Sequence, residues 1–158
     1  MTSFPPAPAG QFDGAVHLFT VRAYFEDTDL SGVVYHANYL RWFERARSDM
    51  VRLLGMDQRA ANEGGEGAWA VSELEIRYRA PARLDDAVLI ETRCEELGAA
   101  SARMHQRALK LVDGQPGPLL SEARLRIGFV GPDGRPRRQP TQWRTAFQTL
   151  LDQTGTQE

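Results

Sequence analysis

The chain has 158 residues, which suits one compact domain of the usual ~100 to 200 residues and leaves little room for two. Hydrophobic residues at 42%, charged residues at 25% and aromatics at 9% match soluble globular chains and disfavour collagen, coiled coil and wholesale disorder. With 19 Lys+Arg against 21 Asp+Glu the formal charge is -2, so no global positive field draws the chain to nucleic acid. Lys110 is the only lysine, so the positive charge is nearly all guanidinium; this suits bidentate phosphate or carboxylate contacts and equally an arginine-rich genome. The lone cysteine, Cys94, excludes an intrachain disulfide and a Cys-rich zinc site. No run approaches the ~18 consecutive apolar residues of a membrane span. Residues 1–14 carry neither a basic residue nor an apolar run, unlike a secretory signal, so the expected location is cytoplasmic.

Residues 1–14, with Pro5, Pro6, Pro8, Gly10 and Gly14, read as a loose lead-in outside the core. Leu18, Phe19, Val21, Tyr24 and Phe25 then make a β-rich run over 17–25, the first expected strand. An acidic turn, Glu26-Asp27-Thr28-Asp29-Leu30-Ser31-Gly32, leads through Val33-Val34-Tyr35-His36-Ala37 to Asn38, which stands as the N-cap of a helix. Tyr39, Trp42, Phe43, Ala46, Met50, Leu53 and Leu54 recur at three- and four-residue spacing, predicting a helix of about sixteen residues with an apolar face and Gly55 as its stop. A polar loop over 57–67 follows.

The second half reads as strands. Ala70, Leu74, Ile76 and Tyr78 alternate with Glu73, Glu75, Arg77 and Arg79, and Pro81-Ala82-Arg83-Leu84-Asp85-Asp86 turns the chain. Val88, Ile90 and Thr92 carry a third strand, residues 101–112 a fourth, and Ala123, Leu125, Ile127 and Phe129 a fifth. Asp113-Gly114 with Pro116-Gly117-Pro118 closes the fourth. After Gly131-Pro132-Asp133-Gly134, Trp143, Phe147, Leu150 and Leu151 predict a terminal helix docked by one face. One strand, one long helix, four tightly connected strands and a helix together predict an α+β fold, an antiparallel sheet wrapped around the long helix. The expected division is a flexible lead-in over 1–14, the domain over 15–140 and a C-terminal helix and tail over 141–158.

His17, His36 and His105 lie far apart with no second ligand at metal-site spacing, so no metal is expected. Gly64, Gly65 and Gly67 follow no strand and form no phosphate-binding pattern, and no G-x-S-x-G elbow is present. The informative segment spans 26–47, where carboxylates in a tight turn precede a helix N-terminus whose free N–H groups favour negative charge. A thioester or ester carbonyl needs those pieces: a donor for its developing oxyanion, and a carboxylate to attack it or activate water. Acidic turns before helices also commonly supply only caps and Asx-turns, and spacing alone leaves both readings open.

Residues 21–47, with E-D-T-D, G-V-V-Y-H-A-N-Y and F-E-R-A-R, resemble the hotdog-fold acyl-CoA thioesterases of the 4-hydroxybenzoyl-CoA thioesterase family, most closely the Tol-Pal-associated (YbgC-type) branch. The likeness extends more weakly through R-Y-R-A-P-A-R-L-D-D at 77–86 and covers roughly 18–140. It implies a curved sheet around a central helix, hydrolysis of an acyl-CoA thioester without a cofactor, and Asp29 as the catalytic carboxylate, either nucleophile or general base. It also implies that the backbone N–H of His36 polarises the thioester carbonyl. The imidazole of His36 is expected to position substrate, to help proton transfer or to serve structure.

Gly32, Tyr35 and Asn38 are expected to shape the entrance, Asp27 to cap or shape the loop, and Glu44 and Arg45 to form ion pairs or interface contacts. Arg137 and Arg138, then Arg79 and Arg83, are the candidates for the coenzyme A phosphates, with a solvated basic edge as the plainer alternative. The resemblance further implies a homodimer joined at sheet edges, commonly a dimer of dimers, in which Val71 and Ser72 contact the partner's acyl group. A dehydratase ranks lower for want of a His-plus-acid arrangement. A non-catalytic module binding acyl-CoA or acyl carrier protein is the alternative of another class.

Overall fold

In the computed structural model, which describes residues 2–155, the elements in chain order are β1 (Gln11–Asp13), β2 (Val16–Arg22), a single 3-10 turn (Phe25–Asp27), α1 (Asn38–Leu53), α2 (Gln58–Glu63), β3 (Ala68–Tyr78), β4 (Ala87–Leu97), β5 (Ser101–Val112), β6 (Gln115–Val130) and α3 (Thr141–Gly155). The strands form one antiparallel sheet in the order β1-β2-β4-β5-β6-β3, so the expected α+β architecture is observed.

The period-two patterns decide which face is buried. Phe19, Val21, Val88, Ile90, Met104 and Leu125 point to one side, where Trp42, Phe43, Ala46 and Met50 of α1 cover them. Phe43 and Met50 are fully buried, and side chains of that size contribute roughly 1.5–3 kcal/mol each relative to exposure. The opposite face carries Glu73, Arg103, Glu122, Arg124 and Arg126, with ion pairs from Glu73 to Arg103 and Arg126 across strands and from Glu122 to Arg124 along β6.

Five local readings change outside β3. The first strand ends at Arg22, because the chain turns where the carboxylate of Asp27 accepts the N–H of Tyr24; Phe25 is exposed. The lead-in is not wholly loose, since β1 pairs with β2 across Gly14, whose φ of +59° suits the tight turn. Asn38 is not the N-cap. Ala37 holds that position, and Asn38, the first helical residue, donates its side-chain amide to Asp27. The loop over 57–67 contains α2, capped by Asp57, whose Oδ1 accepts from the N–H of Ala60 at 2.9 Å. Finally, Pro116 and Pro118 lie inside β6. Asp113 and Gly114, at φ +52° and +75°, make the two-residue hairpin turn alone. The prolines are tolerated because β3 pairs with β6 only from Ser121 onward, so the outer side of those residues has no ladder to feed.

A bulge resets β3. Val71 pairs with Ile127 and Glu73 with Arg126, leaving Ser72 as the extra residue, so Trp69 and Val71 share a face with Leu74, Ile76 and Tyr78, and Ala70 falls on the other. The simple alternation expected from Ala70 to Tyr78 is corrected accordingly. The C-terminal helix docks as its pattern predicts, burying Trp143, Phe147 and Leu150 against Trp69 and Phe129. Among the described residues no helix is long and apolar enough to cross a membrane.

Candidate active site

The segment between β2 and α1 is folded by its own polar groups. Asp29 accepts the N–H of Gly32 at its carbonyl (3.2 Å) and donates its own N–H to Val33 O (2.9 Å), closing a turn in which Gly32 takes φ +82°. The Asp29 carboxylate closes a second ring, with Oδ1 accepting from the Ser31 N–H at 2.8 Å and the Ser31 hydroxyl at 2.5 Å. Those two donors, the hydroxyl first, hold the carboxyl below the ordinary carboxylate range, so Asp29 is an exposed anion at neutral pH.

Asp27 is buried and faces inward. It accepts the Tyr24 N–H at 2.8 Å and the Asn38 amide, and its carbonyl accepts the Tyr35 N–H at 2.9 Å. Asp27 therefore shapes the loop, as expected, and Asn38 ties that loop to the first turn of α1. The neighbouring turn at 80–86 is fastened to the same segment: Val34 N–H donates to Ala82 O at 2.8 Å, Val33 bridges Arg83, and Ala82 N–H donates to the buried Tyr39 hydroxyl at 3.0 Å.

His36 stands at the mouth of α1. Among the described residues its backbone N–H meets no acceptor, while its carbonyl accepts the Tyr78 hydroxyl at 2.8 Å. Its ring lies 4.5 Å from that of Tyr35 and 6.0 Å, edge-on, from that of Tyr78. An N–H without a partner among the described residues, next to the N-cap at the positive end of a sixteen-residue helix, is equipped to receive a carbonyl oxygen as it gains charge.

Asp29, Gly32, Tyr35, His36, Asn38 and the backbone of Arg83 thus converge on one end of α1. Arg79 follows β3 directly and is exposed. Val71 and Ser72 lie further along β3; Val71 is 46% exposed, and Ser72 donates its hydroxyl to Arg126 O at 3.3 Å. Arg137 and Arg138 do not join this group within one chain. Arg137 N–H donates to Phe129 O, beside the Ala68 end of β3, whereas Tyr78 and His36 stand at the other end. The Arg137 guanidinium donates to Gly65 O (3.1 Å) and Glu66 O (2.8 Å), fastening the loop after α2. Arg138, Glu44 and Arg45 are exposed. Among the described residues no three His, Cys, Asp or Glu side chains gather as a metal group.

Two elements of the site escaped the sequence reading. Tyr78 was visible only as an inward strand position, and its partner lies 42 residues away. The second is Ser31, whose place two residues after Asp29 is the ordinary signature of an Asx-turn and could have identified it.

Comparison with known proteins places this geometry. The family model described as thioesterase superfamily matches residues 31–116. The acyl-CoA thioesterase YbgC of Haemophilus influenzae is 39% identical over 71% of this chain and 79% of its own length. Among solved structures, a probable thioesterase from Bartonella henselae is 38% identical, with a TM-score of 0.71 over 79% of this chain and 99% of that one. A DHNA-CoA thioesterase from Staphylococcus aureus, at 21% identity, matches with a TM-score of 0.81 over 90% of this chain and 95% of its own, a likeness of fold. The sheet and its long helix form a hotdog fold, and the chain belongs to the thioesterase superfamily.

Proposed function

We propose that this chain hydrolyses acyl-CoA thioesters to a free acid and coenzyme A, with Asp29 as its reacting carboxylate and no cofactor of its own. The observation that carries the proposal is the pairing, within one short segment, of an ionised carboxylate with a helix-entrance N–H that has no acceptor among the described residues. The thioester oxygen accepts from the His36 N–H, and the helix dipole favours the charge that develops on it. Asp29 then attacks the carbonyl carbon, releasing the thiolate and leaving a mixed anhydride that water cleaves, or it takes a proton from a water that attacks directly. Rapid-quench trapping of acylated Asp29 under single turnover separates the two routes, and ¹⁸O from water found in Asp29 marks cleavage of the anhydride at the aspartyl carbonyl.

The same reading gives β3 a partner. Its free edge is eleven residues long, and Val71, Leu74 and Tyr78 on its helix-side face are 46%, 39% and 44% exposed. Such an edge favours pairing with a second copy, giving a dimer in which Val71 and Ser72 approach the acyl group bound at the partner's entrance; two dimers make a tetramer. Arg79 and Arg83 of one subunit, with Arg137 and Arg138 of the other, are the guanidiniums offered to the phosphates of coenzyme A. A thioester of acyl carrier protein presents the same carbonyl and is a second candidate donor.

The test is thiol release from short, long and aromatic acyl-CoAs by wild type and Asp29→Asn, with folding and assembly of both checked. Turnover by wild type and binding without turnover by the variant support the proposal. Binding by both with turnover by neither replaces it with a non-catalytic acyl-CoA module.

A further inference from the structure

Between α1 and the first half of β3 lies a cavity of about 250 Å³, walled on one side by Glu44, Arg47 and Ser48 and on the other by Trp69, Val71 and Ile127. Arg47 reaches into this region from the half-buried side of the helix. One guanidinium nitrogen, Nη1, donates to Gln106 Oε1 at 2.8 Å, and Gln106 is itself fixed by donating to Phe43 O and Thr92 Oγ1, both at 2.9 Å. The head of Arg47 is thereby held in place. Its remaining N–H groups meet no acceptor among the described residues, and no carboxylate stands within ion-pair distance. Trp69 adds a second unmet donor, since its indole N–H is buried without a partner among the described residues.

A cation taken partly out of water without a counter-ion is costly, and burial here draws the Arg47 guanidinium down from its ordinary value against the opposing pull of Glu44. The missing acceptor is one that a ligand can supply. Val71, in the same wall, is the residue that the proposed pairing along β3 sets against the partner's acyl group, which brings that group towards this cavity.

We propose that Arg47 is a specificity-determining residue that receives a carboxylate at the far end of the acyl group, making monothioesters of dicarboxylic acids the preferred substrates. The proposal rests on the thioesterase reading and on pairing along β3. Glu44 faces the same cavity and opposes the anion, but it is exposed and screened by water, whereas Arg47 is half-buried and anchored. The attraction therefore outweighs the repulsion.

The experiment compares adipyl-CoA with 6-methylheptanoyl-CoA, its uncharged isostere, after subtraction of spontaneous hydrolysis. Wild type is expected to favour adipyl-CoA in kcat/KM by about tenfold or more, as for a charge-assisted contact. Arg47→Met brings that ratio to about one, Arg47→Lys keeps part of it, and Glu44→Gln raises it. The Arg47→Lys and Glu44→Gln ratios decide the matter if the methionine variant does not fold. Preference for the isostere in wild type, or a ratio unchanged by both Arg47 variants, overturns the proposal. Calorimetric binding of both thioesters to Asp29→Asn, with and without Arg47→Met, separates it from the hydrolysis reading. An Arg47-dependent preference in binding without wild-type turnover sinks only the hydrolysis, while equal binding alongside turnover with an equal kcat/KM ratio sinks only the role of Arg47.

Discussion

The hydroxyl of Tyr78, at the end of the edge strand, donates to the carbonyl of His36 at the mouth of the central helix across 2.8 Å. The bond ties the edge strand to the residue whose N–H is offered to the substrate. Removing it with Tyr78→Phe keeps the ring contacts to His36 and Tyr39 and deletes only the donor. The expected effect is a fall in kcat of about five- to tenfold with little change in KM, in keeping with one hydrogen bond of ~1 kcal/mol. Steady-state kinetics beside a thermal melt checks this; an unchanged kcat removes Tyr78 from the machinery.

Asp29 must be ionised to react. Its carboxyl is held below the ordinary 3.8 by the Ser31 hydroxyl and N–H, so the acidic limb of the rate should lie below that of an ordinary carboxylate. Ser31→Ala removes the stronger donor and moves the acidic limb of kcat/KM upward. A pH–rate profile of both proteins on one substrate provides the comparison, and coincident acidic limbs count against the assignment.

A buried polar latch fastens the start of the chain. His17 Nε2 meets Asp49 Oδ2 at 2.7 Å, and the same oxygen accepts the Gly10 N–H at 2.9 Å. Burial lowers the His17 pKa below its ordinary 6.5 although Asp49 pulls the other way; the imidazole is thus neutral, and its Nε2–H donates. Burial pushes Asp49 up, but the hydrogen bonds from His17, Gly10 and Arg52 together outweigh it and leave it anionic. As pH falls through 6.5 the unfolded chain gains a proton that folded His17 refuses, so stability declines from that point downward. The Asp49 contribution is lost only below 3.8. His17→Gln, which retains a donor for Asp49, should flatten part of the dependence of Tm on pH between 7 and 5. An unaltered slope argues against a neutral buried His17.

Gly10 tolerates no side chain, since a Cβ there would stand 2.3 Å from Leu18 O, 2.8 Å from Asp49 Oδ2 and 2.9 Å from His17 Nε2. Gly10→Ala is expected to lift the N-terminal arm and cost about 1–3 kcal/mol. Limited proteolysis should then cut before β2 in the variant and spare the wild type.

Leu74→Arg places a charge on the exposed helix-side row of β3. If copies pair along that strand, light scattering will show a smaller species and turnover will fall at least tenfold, because each site lacks its neighbour. A full-size, active variant disproves edge pairing.

The parts of the fold that sequence reading captured are those with a strong local period: the helix from Tyr39 to Leu53, the alternating strands at 88–94 and 123–129, and the docking face of Trp143 and Phe147. Most of what it lost depends on partners outside the local run. Nothing near Ser72 announces a bulge, which exists because Val71 and Glu73 must both find register on β6. Gln11 becomes strand only because Leu18 lies opposite. Within the site, the E-D-T-D turn and helix entrance were legible because backbone and side chains close on themselves over a few residues. Tyr78 and the Arg47–Gln106 contact, which spans 59 residues, were not.

The strand order has a consequence for synthesis. β3 leaves the ribosome well before β6, its one ladder partner among the described residues, and the intervening β4 and β5 must be made first. During that interval Trp69, Val71, Leu74 and Ile76 belong to a nascent segment that has nothing to pair with. Closing so non-local a ladder is slow, and the waiting strand is the part of the newborn polypeptide most exposed to capture by chaperones or by its neighbours on a polysome.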